Sequence, residues 1–112
     1  IYGGTESRAF CYIDDAVAAT QLVMESPATD GHILHVGNPN EEITIEELAR
    51  QMFELFDVHP TIEIHPAPQG SVQHRCPDIG KLEKLTSYRP EVVLSDGLRK
   101  TFAWYKEAGA GR

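Results

Sequence analysis

Two arginines, each followed within a few residues by carboxylates, are where chemistry could rest in this chain. Arg8 opens the run Arg-Ala-Phe-Cys-Tyr-Ile-Asp-Asp, which ends in Asp14 and Asp15 just before an alanine-rich stretch. Arg75 opens Arg-Cys-Pro-Asp, which ends in Asp78 at the expected start of another helix. A guanidinium is a rigid fork of N–H donors that matches phosphate oxygens, so two arginines on opposite sides of a cleft suit a diphosphate. Each such charge-assisted bond contributes about 1.5–3 kcal/mol. Helix N-terminal N–H groups beside Arg75 would add to the attraction, and Asp78 can accept hydrogen bonds from sugar hydroxyls. Tyr2, at a strand end, can stack on a base, a contact of about 1–3 kcal/mol. Each residue also has a plainer reading. Arg8 is then a surface arginine, the acids are helix caps, and Tyr2 is a core tyrosine.

The other reactive side chains form no motif. The five histidines are scattered. His32 and His35 would point to opposite faces of a strand, so they cannot chelate one metal from it. Cys11 and Cys76 fit no metal or redox spacing and read as reduced thiols. Neither sits beside an obvious base, and no Ser, His and Asp arrangement has a motif context. Gly3-Gly4 lacks the Gly-x-Gly-x-x-Gly spacing of a phosphate-cradling loop. We therefore expect no catalytic residue, no metal site and no cofactor-binding residue in the chain itself.

The arginines need a frame. Arg8–Ile13, with alternating apolar residues, reads as a short buried strand. Asp14 or Asp15 should cap a helix that runs to about Glu25 and stops at Ser26-Pro27. His32–Val36 is short, nearly all apolar and preceded by Gly31, as in a strand buried on both faces. Strand, helix and strand in this order suggest a parallel crossover whose other strands are mostly not in this chain. Thr44 and Glu47 form a capping box, with Ile43 and Leu48 as its hydrophobic staple. Ile45, Leu48, Ala49, Met52, Phe53 and Phe56 follow on one helical face, ending near Asp57.

Thr61–His65 alternates as a strand does. Pro66–Pro77 has no periodicity and reads as a functional loop. Asp78 should cap a short helix through Leu85, with Ile79, Leu82 and Leu85 inward, broken by Tyr88-Arg89-Pro90. Ser95 starts the last helix, with Leu98, Phe102 and Tyr105 inward. Gly109 ends it, and the tail through Arg112 should fray.

One hundred and twelve residues make one small domain or part of one. The first residue is Ile1 rather than Met, and Ile1-Tyr2 leads straight into Gly3-Gly4. We expect from this that the chain starts in mid-element, as a fragment does; a removed tag is the alternative explanation. The formal net charge of −7 disfavours a nucleic-acid backbone or an anionic membrane as partner, so an anionic ligand needs a locally positive pocket. No apolar run approaches transmembrane length and no signal peptide is visible.

Taken together, the motifs resemble a known family. Tyr2-Gly3, Arg8–Asp15, His35-Val-Gly-Asn-Pro39, Ile43–Ala49, Arg75–Ile79, Tyr88–Pro90 and Gly97-Leu-Arg99 look, in order, like the C-terminal third of extended short-chain dehydrogenase/reductases. These are the NAD-dependent epimerases, dehydratases and decarboxylases of nucleotide sugars. Gly37-Asn38-Pro39, Ile43–Ala49 and His74-Arg75 look closest to UDP-glucuronate decarboxylases. UDP-sugar 4-epimerases and dTDP-glucose 4,6-dehydratases are the alternatives.

The resemblance implies an α/β fold. It comprises the last crossover helix and strand of a Rossmann-type parallel sheet plus a small C-terminal substrate-binding subdomain spanning residues 1–112. It implies that Arg8 and Arg75 bind the diphosphate of a UDP-sugar or other nucleotide sugar, with Arg75 also near the reacting sugar. Tyr2 would lie against the base, and Asp78 would hold a ribose hydroxyl. It also implies that NAD is bound by an N-terminal region absent here. That region would carry the glycine-rich loop, the Ser or Thr, and the Tyr-x-x-x-Lys acid/base pair.

Two departures bear on substrate. Gln69–Gln73 lacks the acidic residues of relatives, and Ser87-Tyr88 stands where Gly-Trp is common. We expect a cytoplasmic chain that is inactive alone, self-associates, and needs the missing region as its partner. The rival class is a self-sufficient α/β binding or interaction module. A third reading, a thiol enzyme using Cys11 or Cys76, requires a lowered cysteine pKa.

Overall fold

In a computed structural model, residues 1–109 are described. The expected fraying of the tail through Arg112 lies outside them. In chain order the elements are β1 (Ser7–Ala9), α1 (Ile13–Glu25), β2 (Glu42–Thr44), α2 (Ile45–Phe56), β3 (His74–Arg75), α3 (Gly80–Thr86) and α4 (Leu94–Gly109). Short 3-10 turns at Pro27–Thr29 and Pro39–Glu41 punctuate the first half. The α/β reading holds.

The strands form a small mixed sheet in the order β2-β1-β3. β1 runs antiparallel to β2, with Arg8 opposite Ile43, and parallel to β3, with Arg8 opposite Arg75. The expected strand over Arg8–Ile13 is therefore shifted toward the N-terminus. Its partner explains why. The Phe10 N–H still reaches the Glu41 carbonyl at 3.2 Å, but the chain then enters the 3-10 turn opened by Pro39, so pairing stops.

Two other strand expectations and one loop expectation are corrected. His32–Val36 forms no strand: it has no pairing partner among the described residues, and Ile33 is 85% exposed. Thr61–His65 contributes one bridge, a parallel contact of His65 with Tyr2. The expected loop over Pro66–Pro77 contains β3, held to β1 by its backbone pairing and by the Ser7 N–H on the Gln73 carbonyl at 2.8 Å.

Helix α2 forms as its local signals dictate. The Glu47 N–H donates to Thr44 Oγ1 at 3.2 Å, and the Thr44 N–H donates back to Glu47 Oε2 at 3.3 Å. Asp57 in the left-handed conformation ends the helix. Helix α1 starts at Ile13, two or three residues earlier than a cap at Asp14 or Asp15 would set it, with Tyr12 as its N-cap and no side-chain cap. Asp15 is buried and turns elsewhere: its carboxylate accepts the Glu91 N–H at 3.1 Å and the Val92 N–H at 2.9 Å. That bond ties α1 to the segment leading into α4.

The core is small. Ala19 of α1, Ile79, Leu82 of α3 and Tyr88 are buried, with Val23 and Leu34 packed against them. Fully burying a leucine such as Leu82 contributes about 1.5–3 kcal/mol. A second contact stacks Phe56 of α2 on Phe102 of α4, ring centroids 3.9 Å apart. Phe102 is nonetheless 44% exposed and Tyr105 65% exposed, so the expected inward face of α4 is only partly covered.

Candidate functional site

The sheet puts the two arginines side by side. Residues in register on adjacent strands project from the same face, and alternate residues project from opposite faces. Arg8 and Arg75 are in register across the parallel pair. Both line an open cleft of about 660 Å³, whose wall also includes His35, Gly37, Pro77 and Asp78.

The wall is close-packed at one point: a Cβ on Gly37 would come within 2.5 Å of the Pro77 ring. Only glycine lets the segment after His35 approach the Pro77–Asp78 corner that closely. Asn38 fixes the turn that follows. Its side chain accepts the Asn40 N–H at 3.1 Å, and its amide donates to the Val92 carbonyl at 3.4 Å.

Arg8 is half-buried and held. Its Nη1 donates to the Ser7 carbonyl at 2.6 Å and to the Val72 carbonyl at 2.9 Å. Its Nε and Nη2 have no partner among the described residues, so one edge of the fork remains available to an anion. Arg75 is exposed and likewise makes no side-chain hydrogen bond or ion pair within them. The cleft thus presents two guanidinium groups against one lining carboxylate, that of Asp78, in a chain that is acidic overall.

Asp78 lines the cleft, but its local role differs from the expected cap of a helix starting beside it. Its Oδ1 accepts the Gly80 N–H at 2.9 Å, while α3 begins at Gly80 with Ile79 as its N-cap. The carboxylate already occupies that N–H, so the expected help from the helix terminus in holding an anion is not available from it. Tyr2 is set apart. Its ring is 72% exposed and stands 5.3 Å, centroid to centroid, from His65, outside the lining of the cleft. Three of the four expected site residues are therefore brought together, and the fourth is not.

His35 borders the cleft and is a lining residue that the sequence reading does not single out as a site residue; Cys11 and Cys76, the thiols of the third reading, border it too. The segment His35–Pro39 was the available signal for His35, since Gly37-Asn38-Pro39 marks a fixed turn. The thiols are not primed for attack. Burial pushes the Cys11 thiol up, Tyr88 opposes this, and Asp15 adds to it. Partial desolvation and then the Glu42 carboxylate push the Cys76 thiol up. These shifts run opposite to what a nucleophilic thiol needs. Burial also raises the phenol of Tyr88, which sits beside Cys11 with its hydroxyl 3.5 Å from the Gly37 carbonyl.

No protein-family model matches the chain. Among curated proteins it is similar to a UDP-N-acetyl-alpha-D-glucosaminuronate decarboxylase of Bacillus cytotoxicus. The two are 32% identical over 114 residues, covering 96% of this chain and 35% of that protein. It is 36% identical over 106 residues to UDP-glucuronic acid decarboxylase 1 of Danio rerio, covering 94% of this chain and 25% of that protein. Among solved structures it matches UDP-glucuronic acid 4-epimerase from Bacillus cereus in complex with UDP-glucuronic acid and NAD. There the TM-score is 0.87 at 28% identity, over 96% of this chain and 35% of that one. The chain thus spans about a third or less of the length of these relatives.

Proposed function

Because the chain belongs to the extended short-chain dehydrogenase/reductases and corresponds to their C-terminal portion, we propose that it is the nucleotide-sugar-binding part of such an enzyme. The observation that carries this reading is the registered pair of Arg8 and Arg75 on one cleft. Their forks grip the diphosphate, Arg75 from its exposed position and Arg8 from a guanidinium already oriented by two carbonyls. Asp78, on the same wall, takes a ribose hydroxyl. Tyr2 is proposed for the base, and its part rests on the resemblance alone, since its ring stands outside the cleft.

The relatives named above are decarboxylases and a 4-epimerase of UDP-sugars, and the epimerase structure holds NAD. We extend the proposal accordingly. NAD binds to a separate N-terminal dinucleotide-binding region, which supplies the hydride chemistry and the acid/base pair. The overall reaction is decarboxylation of a UDP-hexuronic acid, with 4-epimerisation as the alternative. The residues of this chain bind and orient the substrate, and no bond-breaking step is assigned to them. The exposed apolar face of α1 and the unpaired His32–Val36 segment suit packing against that region.

Calorimetric titration of the chain with UDP-glucuronic acid tests the site. Losing a charge-assisted bond costs about 1.5–3 kcal/mol, so Arg8→Ala and Arg75→Ala should each weaken binding roughly tenfold or more. Binding by both variants equal to that of the parent chain would sink the assignment. The mass of the gene product in its native cell tests the wider reading. A species much heavier than 12.5 kDa that turns over UDP-sugars with NAD is the expected result.

A further inference from the structure

We propose that Ser7, Glu42 and His74 form a polar clasp on the far face of the sheet that positions Arg75 beside Arg8, and that protonation of His74 tightens it. The inference rests on the anion-binding reading of the arginine pair. Ser7 and His74 are in register, one residue before Arg8 and Arg75 on the same two strands. They therefore face away from the arginines. Glu42 sits opposite Ala9 on β2, diagonal to Ser7 on that same far face.

The three side chains meet at one oxygen. The buried Ser7 Oγ lies 2.5 Å from Glu42 Oε1 and 2.7 Å from His74 Nδ1. A hydroxyl has one proton, and an ionised carboxylate can only accept. Ser7 therefore donates to Glu42, and His74 Nδ1 must carry a proton and donate to Ser7 Oγ. This arrangement excludes His74 as a base for Ser7, so the cluster is not a hydrolytic triad. It joins all three strands at one point.

The other holds on β3 all run to β1 and the residues just before it: the backbone pairing, the Ser7 N–H on the Gln73 carbonyl, the Gln73 side-chain amide on the Thr5 carbonyl at 3.0 Å and Arg8 Nη1 on the Val72 carbonyl, so the clasp alone ties β3 to β2 through side chains. The strand is two residues long, both exposed, and follows a segment with no regular structure. Arg75 follows His74 directly, so whatever fixes His74 fixes the strand that aims Arg75. Charging the imidazole adds attraction to the Glu42 carboxylate, whose Oε1 is 3.7 Å from Nδ1. The groups that face His74 are Ser7 from β1 and Glu42 from β2. The thiol of Cys76, just beyond β3, also lies against Glu42. Arg8 and Arg75 lie across the sheet. The His74 side chain is 74% exposed, so the added attraction is that of a surface pair, which acts on affinity only by steadying β3 and is worth at most about fivefold.

The test titrates the whole chain with UDP-glucose, a ligand whose charge is constant between about pH 6 and pH 8, the range in which histidine titrates. His35 lines the cleft, and its own charge would attract the anion, so all proteins carry His35→Asn. In that background the otherwise native chain should bind more tightly at the lower pH, by at most about fivefold. Adding His74→Asn keeps an N–H donor at the Nδ1 position but cannot charge. It should leave affinity at the higher pH unchanged and abolish the gain at the lower one. Adding Glu42→Gln instead should flatten the profile in the same way, which covers the case in which one variant fails to fold.

Two outcomes overturn the clasp alone: an undiminished pH gain in both variants, or no gain before them, while Arg8→Ala and Arg75→Ala still lose binding. Absence of binding by the parent chain, or arginine variants that bind as the parent does, overturns the anion-binding reading and the clasp with it.

Discussion

Two buried acids show how single residues are fixed by what surrounds them. Asp15 is only 5% exposed, and both of its oxygens accept backbone N–H groups of Glu91 and Val92. Removing it leaves those donors unsatisfied, at about 1–3 kcal/mol. Asp15→Ala should lower stability by that amount in urea unfolding, and Asp15→Asn by less, because one oxygen remains. The sequence pointed to a helix cap here because an acid before an alanine-rich run has the local pattern of one; its true partners are 76 and 77 residues away.

Glu6 makes the complementary case. Its carboxylate accepts the Gly4 N–H at 2.8 Å, and backbone N–H groups of Gly4 and Glu6, with help from Arg8, hold its pKa below the ordinary 4.5. A carboxyl lowered on folding stabilises the fold above its unfolded pKa. That contribution disappears as pH falls through the folded value. Acid titration should therefore show a loss of stability beginning near pH 4.5 that is smaller in Glu6→Gln.

Elements separate by how local their cause is. Helix α2 was legible nearly to the residue, because Thr44, Glu47 and the apolar stripe from Ile45 to Phe56 all act within a few turns. Thr44→Ala should cost about 0.5–2 kcal/mol, read as a lower midpoint of thermal unfolding followed by circular dichroism. Strands depend on partners far along the chain. His32–Val36 has the composition of a buried strand and, Leu34 apart, lies exposed, because composition supplies no hydrogen-bonding neighbour. β3 has almost no composition to read: two polar residues in a proline-containing stretch become a strand only because Ser7 and Arg8 lie alongside. The arginine pair was legible as two candidate anion ligands. The clasp behind it was not, since nothing near Ser7 in the sequence announces Glu42 or His74.

At the scale of the molecule, the chain is under-buried. Its radius of gyration is 16.7 Å, against about 13 Å for a compact domain of some hundred residues. Ile13, Val17 and Met24 on α1, Ile33 beyond it, and Trp104 and Tyr105 on α4 are more than half exposed. Apolar surface of this kind drives association. Light scattering behind a sizing column should find species heavier than 12.5 kDa at micromolar concentration, and an apolar dye should bind them. A monodisperse monomer that does not bind the dye would count against the need for a covering region.

The pairing of β1 with β3 has a kinetic side as well. It joins residues 67 positions apart, so closing it costs more chain entropy than any helix here and should come late in folding. A ligand gripped by both arginines would behave as a reversible cross-link over that loop. It would slow unfolding and shield the stretch before β3 from proteases, so that occupancy could be read as lifetime against digestion.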